Sequence, residues 1–316
     1  MIAFYSREHR KLIRLAEPEP GCWVNISPPF THDELEAVAE QFMIPLDFLT
    51  DSLDVDERPR FEREDEIKLI LLSTPILNES VEREDEAIYT TVPIGIVVTI
   101  EHVVTISAFE SPVIEQFLDN KVKGFVPSDE KLFVLQIMEQ NVNRYLSCLK
   151  KLNIRRNLIE KELQNSSRNS ELKQLLSIEK SLVYFVNGLS LNELLMMKMK
   201  RIDLLGISKD EDLADLMEDI IVDNSQALSM ANVYTNILSG TMDAYSSIIS
   251  NNLNQFINRL TVITVALAVP TLIASLLGMN IPNGMEGNHW AFPGVLIFCL
   301  FFTFGLSWYM LRKGGR

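Results

Sequence analysis

Two long stretches without a formal charge constrain the fold of this chain more than any other feature: 26 residues between Arg259 and Glu286, and 25 between Glu286 and Arg312. A helix rises about 1.5 Å per residue, so about 20 apolar residues cross the roughly 30 Å hydrocarbon core of a bilayer. The first stretch holds LTVITVALAVPTLIASLLG at 260–278. The second holds PGVLIFCLFFTFGLSWYMLR at 293–312, with Trp308 and Tyr309 near its end, where interfacial aromatics collect. Both are expected to span a membrane and to meet lipid. The connecting loop, NIPNGMEGNHWAF, has no Lys or Arg, whereas Arg259 and the tail Arg312, Lys313 and Arg316 flank the far ends of the two spans. Basic flanks stay in the cytoplasm, which predicts a multi-pass protein of the inner membrane with both termini cytoplasmic.

The rest of the chain has the opposite character. Residues 1–259 carry 26 basic and 42 acidic side chains, a net charge of −16. A polyanion needs a basic surface to displace its counterions, so nucleic acid is not an expected partner. Cys22, Cys148 and Cys299 are few and far apart, and His9, His32, His102 and His289 have no histidine at i+4, so neither a disulfide framework nor a zinc site is expected. The N-terminal MIAFYSREHRKLIRL has no apolar core that could act as a secretory signal. No GxxxxGK or GxGxxG occurs, no nucleophile constellation is recognisable, and the chain is not expected to be an enzyme.

Two spanning helices cannot enclose a water-filled path, so transport would require an oligomer in which one helix per chain lines a common axis. The second span is dense in Phe, Leu and Ile on all sides and suits lipid. The first carries a smaller, more polar row at three- and four-residue steps: Asn254, Asn258, Thr261, Thr264, Ala268, Thr271 and Ser275. Such a row serves a pore or close helix packing equally well. Pro270 interrupts the helix and frees the carbonyl of Ala266, which must then meet water or another helix.

Residues 1–127 read as a cytoplasmic α/β domain. Strands are expected at 22–26, 67–74 and 87–91 and as a hairpin around Glu101 and His102, with helices at 31–41 and 111–120. Residues 128–207 read as an antiparallel helical hairpin broken by NSSRNS at 165–170. Ser208 and Glu211 form an S-x-x-E capping box for a helix that runs without proline to Pro270 and on to about 277. The remaining divisions are the stalk, first span and its end at 208–280, an outer loop at 281–292, and the second span and basic tail at 293–316.

The first span ends in Gly278-Met279-Asn280, after a long stalk helix and before a short loop. With DERPRFE at 56–62 and MDAYSSIISNNLNQ at 242–255, this resembles the CorA family of magnesium transporters over the whole chain. The resemblance implies a funnel-shaped homopentamer that moves Mg2+, with Co2+ and Ni2+ as surrogates. It implies Gly278, Met279 and Asn280 as the selectivity filter, Asp243 at the cytoplasmic mouth and Asn254 as a polar ring. Ile257 and Leu260 become an apolar constriction, and Thr271 a further pore-facing oxygen. It also implies gating by cytoplasmic Mg2+ held at Asp219, with Glu218 and Asp223 nearby. The acidic run Glu82, Glu84, Asp85 and Glu86 either forms the partner surface or only solubilises the body, the second reading being preferred, and Gly240 is a flexible point. Departures are Leu277 before the motif, a following loop with Glu286 as its one acid, and Pro270 displaced by one residue. A Zn2+ transporter of the same superfamily and a non-conducting membrane-anchored scaffold are the competing readings. Met279 favours magnesium over zinc.

Overall fold

The computed structural model describes residues 1–8, 11–78, 86–165, 169–279, 284 and 289–313. It divides into two compact units, Met1–Gly240 and Thr241–Arg316.

The first unit is built on a seven-stranded sheet in the order β2-β1-β3-β7-β6-β5-β4. The strands are β1 Ile2–Glu8, β2 Lys11–Leu15, β3 Trp23–Ile26, β4 Arg60–Glu64, β5 Ile67–Leu77, β6 Tyr89–Val98 and β7 Val103–Ile106. Only β3 and β7 pair in parallel; the other neighbours are antiparallel. Alternate residues feed two separate cores, as the period of two requires. Ile70, Leu72, Ile96 and Val103 point to one face, and Leu69, Leu71, Val97 and Val104 to the other. Helices α1 His32–Phe42 and α2 Leu46–Asp51 cover the second face. Helices α3 Pro112–Leu118, α4 Glu130–Asn165 and α5 Asn169–Ile202 cover the first. There Trp23, Phe117, Phe125 and Phe133 stack edge to face, and Trp23 Nε1 donates to Thr105 Oγ1 at 2.7 Å.

β5 outruns β4, whose last pairing is Arg60 with Leu71, so the backbone of Ser73 and Pro75 needs other partners. The side-chain amide of Asn192 supplies a strand's worth of pairing. Its Oδ1 accepts from Ser73 N at 2.9 Å and its Nδ2 donates to Ser73 O at 2.8 Å. Asn141 Nδ2 and Tyr145 Oη donate to the same carbonyl. Burial pushes the Tyr145 phenol up from its ordinary value, which keeps it a donor. Two residues on, Pro75 has no N–H to satisfy, and its carbonyl accepts from Arg144 Nε at 3.4 Å. This polar cluster clamps the sheet to the hairpin of α4 and α5.

The expected strand at 87–91 and the first arm of the 101–102 hairpin are one strand, β6, running through Pro93. Pro93 sits opposite Ser73, whose N–H faces the other edge, and the β7 ladder begins only at Gly95, so the proline costs no ladder bond. The capping box at Ser208 and Glu211 is not formed. The N-cap of α6 Glu211–Leu277 is Asp210, whose Oδ1 accepts from Leu213 N at 3.2 Å. Ser208 Oγ instead donates to Asp203 Oδ2 at 2.5 Å. Asp203 also accepts from the backbone of Ile207 and Ser208, which closes the turn between α5 and α6 and spends the hydroxyl the capping box needed.

Up to Gly240, α6 buries Met217, Ile220, Asn224, Ala227, Ala231 and Leu238, with Asn224 Nδ2 donating to Leu189 O of α5 at 3.0 Å. The second unit holds the rest of α6 and α7 Ala291–Lys313. The α6 helix is long and apolar enough to cross a membrane, and the apolar part of α7 described as Ala291–Leu306 is shorter.

Candidate ion path

Between residues 260 and 278, α6 shields one side and exposes the other. Val262 is buried, and Val265, Ala266, Val269, Pro270, Ile273 and Leu277 are half-buried. Asn254, Ile257, Leu260, Thr261, Thr264, Ala268, Thr271 and Ser275 are all exposed. At 3.6 residues per turn these two sets fall on opposite sides of the helix. The polar row expected from the sequence therefore lies away from the shielded face, where Thr303 of α7 reaches Ala266.

The hydroxyls of that row are oriented by the helix itself. Thr261 Oγ1 donates to Ile257 O at 2.9 Å, Thr264 Oγ1 to Leu260 O at 2.9 Å, and Thr271 Oγ1 to Leu267 O at 2.7 Å. Each proton is spent on the carbonyl one turn back, which leaves the oxygen lone pairs as acceptors on the exposed side. A row of this kind accepts hydrogen bonds from water, including the water around a cation. From Ala244 to Leu277 there is no carboxylate.

Gly278 closes the helix, its N–H donating to Ala274 O at 2.9 Å. A Cβ at Gly278 would stand 3.2 Å from that carbonyl, so the last turn tightens around a residue without a side chain. Met279 is half exposed. Asn280, Glu82, Glu84, Asp85 and Glu286 lie outside the described residues. Asp243 is exposed, and its carbonyl accepts from Ser247 Oγ at 3.0 Å. Glu218 is engaged in an ion pair with Lys200 of α5, a partner the sequence reading missed because it lies across the turn between two helices. Asp219 and Asp223 are exposed and make no ion pair among the described residues. Among those residues no three of His, Cys, Asp and Glu converge to hold a metal.

An acidic α/β body continuing through one long helix into a nearly charge-free helical pair, with a row of oriented hydroxyls on that helix, defines a class: membrane proteins that move small ions. The family model of the CorA-like Mg2+ transporter protein matches residues 19–313, and the chain belongs to that family, one of ion transporters and not of enzymes. The cobalt/magnesium transport protein CorA of Methanocaldococcus jannaschii is 25% identical over 302 residues, covering 93% of this chain and 90% of that protein. Its counterpart from Thermotoga maritima is 23% identical over 297 residues, covering 93% and 83%. The complete structure of the M. jannaschii magnesium transporter superposes with a TM-score of 0.80 at 22% identity, covering 99% of this chain and 98% of that one. The α/β domain followed by long helices is thus the fold of that transporter.

Proposed function

We propose that the chain assembles as a homopentamer in the inner membrane, with α6 and α7 both spanning it and both termini cytoplasmic, and conducts Mg2+ along an axis lined by α6. The observation that carries this reading is the row of back-bonded hydroxyls opposite the face shielded by α7. Mg2+ releases its water reluctantly, so acceptors that hold the hydrated ion through its shell suit it better than a dehydrating cage. The absence of carboxylates from 244 to 277 keeps binding weak enough for release. Gly278, Met279 and Asn280 form the outer filter, Asp243 and Asn254 the inner mouth, and Ile257 and Leu260 a constriction that closes by dewetting. The cobalt and magnesium transport of the relatives supports Mg2+ as cargo and Co2+ as a surrogate; Ni2+ is proposed as a further surrogate. The driving force is the membrane potential, about 4–5 kcal/mol per 100 mV for a divalent cation.

Cytoplasmic Mg2+ gates the path. Five bodies of net charge −16 repel one another, and a dication held between neighbours at Asp219 and Asp223 screens that repulsion. Among the described residues no such site closes within one chain, and in this reading a neighbouring copy supplies the remaining ligands. The test is Mg2+ uptake by liposomes containing the purified full chain. Inward flux under a negative internal potential is expected, falling as internal Mg2+ is raised and absent in Asn280→Ala with the oligomer intact. Undiminished flux in Asn280→Ala removes the filter assignment. No divalent flux in the wild type makes the chain a membrane-anchored scaffold instead. Asp219→Lys is expected to keep flux low without internal Mg2+; if it opens as the wild type does, the regulatory site is elsewhere.

A further inference from the structure

Pro270 stands inside α6 and contributes no N–H, so the carbonyl of Ala266 loses its donor one turn on. In the charge-free part of the chain no water competes to satisfy that carbonyl, and an orphaned backbone group in hydrocarbon either bends the helix or draws water in. The partner is on the other helix: Thr303 Oγ1 of α7 donates to Ala266 O at 3.4 Å. This departs from the habit of the neighbouring threonines, since Thr261, Thr264 and Thr271 each donate to the carbonyl four residues back in their own helix. Thr303 reaches across to a carbonyl within α6 that the helix itself cannot serve.

Its location gives the contact a further consequence. Beyond Pro270 the two helices are not closely packed: an apolar cleft of about 680 Å3 opens between them, lined by Pro270, Ala274 and Gly278 on α6 and by Phe292, Val295 and Cys299 on α7. The hydrogen bond lies where the ladder of α6 is broken and where the separation of the helices begins. Everything on α6 beyond that point, including Thr271, Ser275 and Gly278, depends for its direction on how the break at Pro270 is held.

We propose that Thr303 is a positioning residue for ion transport: by donating to Ala266 O it pins α7 to the proline break and fixes the direction of the outer segment of α6 that carries Thr271, Ser275 and Gly278. This rests on the ion path assigned to α6 above. The hydroxyl, and not the volume of the side chain, performs the task. The need for it exists only while residue 270 is proline, because any other residue there returns an N–H to Ala266.

The test is a double-mutant cycle in the full-length chain, Thr303→Val against Pro270→Ala, with Thr303→Ser as the conservative control. Flux into liposomes and the melting midpoint of the detergent-solubilised protein are both measured. Thr303→Val is expected to raise the half-saturating Mg2+ concentration severalfold and lower the midpoint, while Thr303→Ser stays close to wild type. In the Pro270→Ala background, Thr303→Val is expected to change neither quantity. A Thr303→Val effect of equal size in both backgrounds would mean that the side chain only packs, and overturns the proposal. So does a lower maximal flux with an unchanged half-saturating concentration, which reports fewer folded molecules. If Thr303→Val alone fails to assemble, rescue by Pro270→Ala supports the pairing and failure of rescue refutes it. If the wild type carries no Mg2+, the transport reading fails, and the cycle in melting midpoint still decides whether Thr303 serves the carbonyl freed by Pro270.

Discussion

The two units of the chain solve the same problem, where to put apolar side chains, in opposite ways. Up to Gly240, Leu69, Ile70, Val97 and Val104 are fully buried, and among the described residues Glu171 is the one charged side chain buried with them. Beyond it, Leu260 is 54% exposed, and Phe301 and Phe304 are each 81% exposed, without a formal charge between Arg259 and Glu286 or between Glu286 and Arg312. The first arrangement is stable in water. The second is stable only if the surroundings are hydrocarbon or other copies of the same helices. Oxygen chemistry divides in the same way. In the body, Ser73 is enclosed by Asn141, Tyr145 and Asn192 and held there. In the second unit, Thr261, Thr264 and Thr271 turn their protons inward and leave acceptors outside. One set of polar groups fixes a sheet to its helices, and the other leaves its acceptors on the exposed side.

The largest expected effect comes from placing a charge on the exposed apolar surface of each unit. Phe301→Lys is expected to cost about 2.5–3.5 kcal/mol at mid-membrane depth, and membrane insertion should fall accordingly in a fractionation assay. Val183→Lys, on an equally apolar and 58% exposed position of α5, is expected to change stability by no more than about 0.5 kcal/mol. Equal tolerance at both positions would break the comparison.

A smaller effect belongs to the body's polar clamp. Asn192→Ala strips Ser73 N of its partner while Asn141 and Tyr145 still serve the carbonyl, so a loss of about 1–3 kcal/mol is expected as a lower melting midpoint. Mg2+ half-saturation should stay unchanged if the clamp is structural only.

The smallest effect is set by pH. The Ser208 hydroxyl, partly opposed by a small desolvation and helped by the backbone amides of Ile207 and Ser208, holds Asp203 below its ordinary value. Its contribution is therefore complete above the unfolded value of about 3.9 and is lost as pH falls through the lower folded value. Asp203→Asn should lower the melting midpoint at neutral pH by a small amount and leave it little changed below the folded value, which flattens that acid limb; an unaltered limb would assign the acid sensitivity to other carboxylates.

Much of this fold was legible in the sequence because burial leaves a period. The helical hairpin, the strands β3 and β5 and the 67-residue helix follow from apolar spacing. The strands that left too little signal include both edges of the sheet, β2 and β4. KLIRL and RFERE carry charges where an inner strand carries Val or Ile, which blunts an exposed edge against other chains and erases the pattern that marks a strand. The cap of α6 was misread because Ser208 satisfies a capping motif in sequence, yet its hydroxyl is taken by Asp203. The polar row on the first span was legible, but its position opposite the face shielded by α7 was not, since only packing shows which side a second helix covers. The orphaned carbonyl of Ala266 could be foreseen from Pro270; that Thr303 would meet it could not, because a lone threonine in an apolar helix has no periodicity.

The central claim is that the exposed row of α6, and not the exposed surface of α7, faces the ion. Its most direct test is cysteine accessibility in a functional chain with Cys299 replaced by serine. A charged, membrane-impermeant thiol reagent is expected to modify Thr264→Cys and Ala268→Cys and to stop Mg2+ flux into liposomes, while Phe301→Cys stays unmodified and conducting. Modification and block at 301, with 264 and 268 untouched, would contradict the account.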